Sequence, residues 1–444
     1  MVSAAEQLAA NMNLSAFKGA TELKQRIWFT LGALLIYRLG TYIPLPGIDP
    51  VAVNALFQQN QSGIIGMFNM FAGGAVGRMA IFALNIMPYI TASIIIQLLT
   101  AAVPHLAQLK KEGGEQGRKQ INQYTRYGTV LLAAMQGYGI AIGLERAEGI
   151  VIDPGLFFQL STVITLVGGT IFLMWLGEQI TARGVGNGIS LIIFAGIVAE
   201  LPSALVSTLE LGRQGALSSL VILLLLIMVV IVIAFIVFME RAQRRLNVQY
   251  PKRQIGNKMT GGESSHLPLK LNVSGVIPPI FASSLLLLPV TVANFSTEQS
   301  PTWLGGIIAM LGQGQPLYMA LYAALIIFFC FFYTSIVFNP EDTANNLKQA
   351  GGFIPGIRPG ARTAEYLDRI LTRLTVVGAL YLTLVCLLPE FLIRRYNVPF
   401  YFGGTSVLIV VSVTMDTVSQ IQGYLFAHQY EGLIKKSKLG GRVR

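Results

Sequence analysis

Twenty-five consecutive residues, Gly215 to Met239, carry no charge. About 20 apolar residues cross the hydrocarbon core of a bilayer as a helix, and no soluble architecture requires so long an uncharged run. That stretch commits the chain to a membrane, and the rest of the text agrees. Only 12% of the 444 residues are charged and 53% are hydrophobic, whereas soluble domains carry about 25% charged residues. The expected class is an all-α, polytopic membrane protein. Ten spans are expected, near 27–46, 81–103, 124–144, 157–180, 189–206, 216–239, 273–295, 316–338, 374–392 and 403–426.

The net charge of +11 is distributed by topology. The N-terminus, 104–126, 181–188, 240–272, 339–373 and the C-terminus hold 26 Lys and Arg, while the alternate loops hold five: Arg78, Arg146, Arg213, Arg394 and Arg395. Basic residues accumulate on the cytoplasmic side, so both termini are expected there. Arg38 falls inside the first span. Cys330 and Cys386 lie in apolar runs, and His105, His266 and His428 lie far apart, so neither a disulfide framework nor a zinc site is expected. No GxxxxGK[ST] loop occurs, which argues against nucleotide hydrolysis by the chain itself. The first apolar run, from Ile27, contains Arg38 and lacks a small-residue cleavage site, so no cleaved leader is expected.

Two pairs of spans echo each other. Asn85-Ile-Met-Pro88-Tyr-Ile90-Thr91-Ala92-Ser93 matches Gly275-Val276-Ile277-Pro278-Pro-Ile280-Phe-Ala282-Ser283 at an offset of 190. Ser190 and Ile193 match Ser406 and Ile409 at an offset of 216. Prolines inside apolar helices kink them, and kinked helices at corresponding places in two halves mark a site at a repeat interface or are ordinary membrane helices. Five spans per half is odd, so the second half is expected to be inverted. The organisation expected is an N-terminal segment 1–26, a first half 27–206, a second half 207–426 with cytoplasmic loops 240–272 and 339–373, and a tail 427–444.

Four segments stand outside the spans. Residues 1–26 read as a surface helix or as a loose tail. Ile64 to Gly77 is apolar, too short to span, and contains Gly66, Gly73, Gly74 and Gly77, so it reads as re-entrant and either mobile or a static packing element. The long loops carry Arg241, Arg244, Arg245, Lys252, Arg253 and Lys258, and the turn-rich Pro355-Gly356-Ile357-Arg358-Pro359-Gly360. Defined turn chemistry suits a docking site, and the charges alone also suit anionic lipid.

Phe68-Asn-Met-Phe-Ala-Gly-Gly74, Ile86-Met-Pro-Tyr-Ile90, Gly177-Glu-Gln-Ile-Thr181 with Gly186-Asn-Gly-Ile-Ser190, Gly356-Ile-Arg-Pro-Gly360 and Pro399-Phe-Tyr-Phe-Gly-Gly-Thr-Ser406 resemble the SecY family over nearly the whole chain. The resemblance implies a ten-helix clamshell with an hourglass channel between inverted halves. It implies a pore ring of Ile86, Ile90, Ile193, Ile280 and Ile409, with Val276 and Ile277 close by. It implies a plug, about 64–78, that includes Ile64, Ile65, Met67, Phe68, Asn69, Met70, Phe71, Gly73 and Gly74. Spans 2, 3, 7 and 8 become a lateral gate, with Thr91, Gln97 and Asn272 as its polar residues. Arg253, Lys258, Arg358 and Arg362 become contacts for the SecA motor ATPase and the ribosome. SecE and SecG as heterotrimer partners, signal peptides and unfolded preproteins as cargo, SecDF, YidC and anionic lipids as further partners, and the bacterial inner membrane as location are implied in the same way, with no cofactor and no metal. Asn85 and Asn257 depart from the family pattern, which favours glycine at the first and a basic residue at the second.

An apolar ring excludes ions when empty because a narrow hydrophobic constriction dewets, and it offers no donors that would select one polypeptide over another. A solute transporter, also built from inverted repeats, would place ionisable groups at the midplane. The candidates there are Arg38, Glu200 and Asp416. An intramembrane enzyme would need a catalytic constellation, and the spans offer none.

Overall fold

The computed structural model describes residues 21–59, 69–112, 114–146, 149–214, 219–250, 253–255, 258–260, 264–295, 315–396 and 404–440. Of the expected site residues, Ile64, Ile65, Met67 and Phe68 lie outside these, as do most of the N-terminal segment, Asn257 and the side chains of Arg253 and Lys258.

Each of the ten expected spans falls on a helix. In chain order these are α1 (Thr21–Gly40), the short α2 (Pro50–Gln59), α3 (Met87–Ala102), the surface helix α4 (Pro104–Glu112), α5 (Gly114–Arg146), α6 (Leu156–Arg183), α7 (Gly188–Arg213) and α8 (Ser219–Arg241). After four strands come α9 (Ile277–Phe295), α10 (Pro316–Val337), the short α11 (Pro340–Gln349), α12 (Ala361–Tyr396) and α13 (Gly404–Gly440). Among the described residues, seven helices are long and apolar enough to cross a membrane, or eight when α3 and α4, bent by 102° at their junction, are taken as one. Pro104 explains that bend, since a proline disfavours helix at the residue before it, and Val103 is extended. On α8, Leu220, Leu223, Leu224, Leu226, Ile227, Val230 and Ile231 are all exposed; a helix apolar around its circumference is stable in that state only against lipid.

The chain forms two compact units: Met1–Ser203 with Thr291–Gln299 and Val413–Arg444, and Ala204–Val290 with Ser300–Ser412. The first has a core of Leu45, Ile48, Leu84, Leu144, Phe158 and Leu166 with neighbouring side chains. Arg126 on α5 reaches Glu178 on α6, its Nη2 donating to both carboxylate oxygens at 2.9 and 2.8 Å. The turn before α7 is tied at three points: Val185 N–H donates to Thr30 Oγ1, Gly186 N–H to Gln420 Oε1, and Gly188 N–H to Thr181 Oγ1.

In the second unit the loop 240–272, expected only as a basic docking segment, is an antiparallel hairpin. β1 (Gln243–Gln249) pairs with β4 (Ser264–Lys270), and β2 (Arg253–Ile255) with β3 (Lys258–Thr260). Leu246 lies opposite Leu267, and Gln249 exchanges both backbone hydrogen bonds with Phe353, each 2.9 Å. Leu246, Leu269, Ile354, Leu367, Ile370 and Leu374 form one core. The two long loops are therefore one folded body with its own interior.

The reading of Pro88 and Pro278 as kinks is corrected. Pro88 is the second residue of α3 and Pro278 the second of α9. In the first turn the missing N–H has no intrahelical partner to lose, and the ring's fixed φ suits the helix. The expected span 81–103 accordingly begins as a chain of turns through residue 86 and becomes helix only at Met87. The repeat itself is sharpened by this. Asn85 and Gly275, at the same offset of 190, both have left-handed backbones, with φ of +48° and +63°. The second echo extends the same way. Gly188 opens α7 and Gly404 opens α13, at the offset of 216. A Cβ at Gly188 would collide with the Gly177 carbonyl, and one at Gly404 with the Val385 carbonyl.

Candidate functional site

The site grows from the segment that leads into α3. Residues 69–71 make a helical turn and 72–79 a run of turns, with Ala72, Ala75, Val76 and Ala80 packed together. The small side chains let the backbone fold on itself. Gly73 and Gly74, at φ +63° and +81°, turn the chain in a region that L side chains resist. The Asn69 side chain closes the turn by accepting the Gly77 N–H at 2.7 Å. Farther on, Leu45 N–H donates to Met79 O and Ile81 N–H to Ile43 O, both 2.9 Å, which fastens the segment to the strand-like stretch after α1.

Three side chains grip the segment's carbonyls. Arg38 Nη1 and Arg78 Nη2 both donate to Gly73 O, at 2.8 and 2.9 Å. Arg78 Nε also donates to Thr41 O at 3.3 Å, Arg38 Nη2 to Tyr42 Oη at 3.1 Å, and the Arg78 guanidinium lies 4.2 Å from the Tyr42 ring centroid. Asn85 Nδ2 donates to Phe71 O at 2.6 Å. On α7, Gly196 gives this backbone room: a Cβ there would lie 2.6 Å from Phe71 O and 3.2 Å from Gly73 N. Hydrogen bonds from charged donors are roughly twice as strong as neutral ones, so the described part of the glycine-rich stretch is clasped.

The apolar positions follow directly. Ile86 is the N-cap of α3 and fully buried, and Ile90 N–H donates to its carbonyl at 3.1 Å. Ile193 on α7 is buried too. Thr91 Oγ1 donates back to Met87 O. Gln97 Nε2 donates to Ser93 Oγ, and the Gln97 Oε1 is buried with no partner among the described residues.

In the second unit Ile280 is half-buried on α9 and Ile409 buried on α13. Asn272 lies in the loop ahead of α9 and is engaged locally. Its Nδ2 donates to Glu240 Oε1 and Gly275 O, and its Oδ1 accepts from Ser274 Oγ. Arg358 and Arg362 are exposed. Positive φ at Gly356 and Gly360, +82° and +107°, sets the turn around Arg358, and Thr363 Oγ1 donates to the Arg358 carbonyl at 3.0 Å. Arg358 is thus offered to solvent on a braced turn, with no ion pair among the described residues. Among the described residues no group of three or more His, Cys, Asp or Glu is placed to hold a metal.

The grip of Arg38, Arg78 and Gly196 was not anticipated from the sequence. A charge in an apolar helix is a functional signal by default, and Arg38 carried that signal. Nothing in the text pointed it at Gly73.

These features define a class: a polytopic membrane protein in which a glycine-rich segment is clasped against the buried start of an apolar helix. A family model described as SecY matches residues 80–418. The chain is 59% identical over 426 residues to the protein translocase subunit SecY of Rickettsia conorii, covering 95% of this chain and 98% of the relative. It is 57% identical over 434 residues to the same subunit of Escherichia coli, covering 97% and 98%. The chain belongs to the SecY family. Its fold matches a structure described as a protein conducting channel, with a TM-score of 0.68 and 19% identity over 91% of this chain and 93% of that one. It also matches the Sec61 channel of a canine ribosome-channel complex, with a TM-score of 0.64 and 18% identity over 91% and 93%.

Proposed function

We propose that this chain is the pore-forming subunit of a protein translocase, which conducts unfolded polypeptides across the membrane and releases apolar segments sideways into lipid. The observation that carries the reading is the near-full-length likeness to translocase subunits. The clasped segment beside Ile86 supports it, because a channel for chains must be sealed against ions between cargoes. In this reading residues 64–78 are the plug. Ile86, Ile90, Ile193, Ile280 and Ile409 are the constriction. Branched apolar side chains dewet a narrow passage and yield to any sequence. Thr91, Gln97 and Asn272 are the polar residues of the lateral gate. Segments leave through it by partitioning, at about −0.3 to −0.6 kcal/mol per Leu, Ile, Phe or Val against about +2.5 to +3.5 for a buried charge.

The work of transport comes from outside the chain: the SecA ATPase, the ribosome or the proton-motive force. The Arg358 turn, with Arg253, Lys258 and Arg362, is the contact for motor and ribosome. SecE and SecG complete the heterotrimer, SecDF, YidC and anionic lipids are further partners, and the setting is the bacterial inner membrane with both termini cytoplasmic. The solute-transporter reading loses one of its three candidates, since Arg38 is engaged with Gly73 and Tyr42.

The test is a crosslink. In a Cys330→Ala, Cys386→Ala background, a cysteine placed at Ile90 or at Ile280 is expected to form a disulfide with a cysteine in a stalled export substrate. Crosslinks confined to lipid-facing positions such as Leu223 or Leu224 would refute the reading. Separately, Arg358→Glu is expected to lower motor-driven export into vesicles about tenfold or more, because reversing a charge in a complementary contact costs several kcal/mol. Undiminished export with the variant would remove Arg358 from the contact.

A further inference from the structure

We propose that the Asn85 carboxamide is the catch that holds the plug shut: a side chain that binds the segment in the resting state and is built to let go. The inference rests on the reading of residues 64–78 as the plug, and three observations carry it.

The first is the contact. Asn85 Nδ2 donates to Phe71 O at 2.6 Å across fourteen residues of chain, and the two residues are 1% and 4% exposed. Asn85 is joined to Ile86, the fully buried N-cap of α3. The catch therefore links the segment to the residue that opens the constriction helix.

The second is the backbone. Asn85 sits at φ +48°, and the equivalent position of the other repeat, Gly275, at φ +63°. The junction before α3 and α9 requires a left-handed residue, and glycine meets that need without strain. Asparagine tolerates the conformation less readily, so its side chain adds a function that the backbone does not demand.

The third is the other half of the amide. Asn85 Oδ1 is buried and has no partner among the described residues. A buried acceptor left unpaired is unfavourable, and among the described residues the seated state satisfies only one end of the side chain. When the segment withdraws and water enters, Nδ2 and Oδ1 both find partners. The amide stabilises closure through its donor and favours opening through its acceptor. That combination makes a weak latch, suited to release under the thrust of an arriving polypeptide.

The variants separate the amide from the backbone. Asn85→Gly keeps the left-handed turn and removes the donor. It is expected to accumulate and melt as the parent does, and to raise the resting open fraction by up to about fivefold, the ceiling set by one ordinary net hydrogen bond before the opposing cost of the unpaired acceptor. The readout is ion conductance of the full translocase in planar bilayers without cargo, with the conductance of the open channel unchanged. A variant deleted for residues 64–74 serves as control. A leaking deletion with Asn85→Gly as tight as the parent would overturn the catch and leave the plug standing. Leak in Asn85→Ala but not in Asn85→Gly would assign the effect to backbone strain, and overturn it as well. A deletion that does not leak would overturn the plug reading and the catch with it.

Discussion

Gly196→Val should unseat the clasped segment 69–78, part of the proposed plug, and produce the largest resting leak of any single substitution in the first unit. A Cβ at Gly196 would lie 2.6 Å from Phe71 O and 3.2 Å from Gly73 N, both backbone, and 3.0 Å from the Tyr37 side-chain Oη. Backbone atoms cannot rotate away as a side chain does. The segment must move, and with it go the Asn85 bond to Phe71 and the paired arginine bonds to Gly73. Overpacking a fitted site costs about 1–3 kcal/mol, which corresponds to roughly 5- to 150-fold in the seated fraction. Because Ala72, Ala75 and Val76 pack in a cluster separate from the core of Leu45, Leu84 and Phe158, melting in detergent should change little while bilayer conductance rises. Parental conductance in Gly196→Val would show that the close approach is absent in the resting channel.

The second large effect should fall on stability. Gly188 and Gly404 begin α7 and α13, and each is pressed against a carbonyl of the preceding long helix, Gly177 and Val385 respectively. Alanine at either position forces two helices apart at a point where the atoms it meets are backbone and cannot rotate away. The expected cost lies at the upper end of about 1–3 kcal/mol per site, read as lower accumulation and a lower Tm of the purified complex. The equivalence of the two positions makes a sharper demand: the two alanine variants should be impaired to a similar degree. A variant with unchanged accumulation and Tm would mean that the helix starts are not seated as described. Gly143, with open space where its Cβ would go, is the control and should accept alanine without loss.

Hydropathy revealed the spans because lipid contact imposes one requirement on every residue of a helix, and α8 shows it in its purest form. Hydropathy was blind to the hairpin of β1 to β4, whose strands are mostly polar on their exposed face and whose core of Leu246, Leu269 and Ile354 comes from two distant loops. The prolines illustrate a different limit. A proline in an apolar run is compatible with a kink and with a first turn, and the decision rests on where the preceding residues find hydrogen bonds. Asn85 N–H bonds Phe82 O and Met87 N–H bonds Leu84 O, so the chain ahead of Pro88 is turn and not helix. Within the site, Ile86 and Ile90 could be picked out as a pair because four residues make one helical turn. The clasp could not, because Arg38, Arg78, Asn85 and Gly196 converge through tertiary structure and share no spacing.

The exchange of hydrogen bonds between Gln249 and Phe353 has a mechanical consequence. It makes the hairpin and the Pro/Gly turn a single stiff lever. β1 leaves α8 almost directly, and Leu271 N–H, just past β4, is tied to Ala242 O at 3.0 Å on the way to α9. A partner that leans on the arm therefore cannot bend it in isolation. The torque passes to the ends of α8 and α9, and Gly275, the one residue there with a left-handed backbone, is the natural pivot.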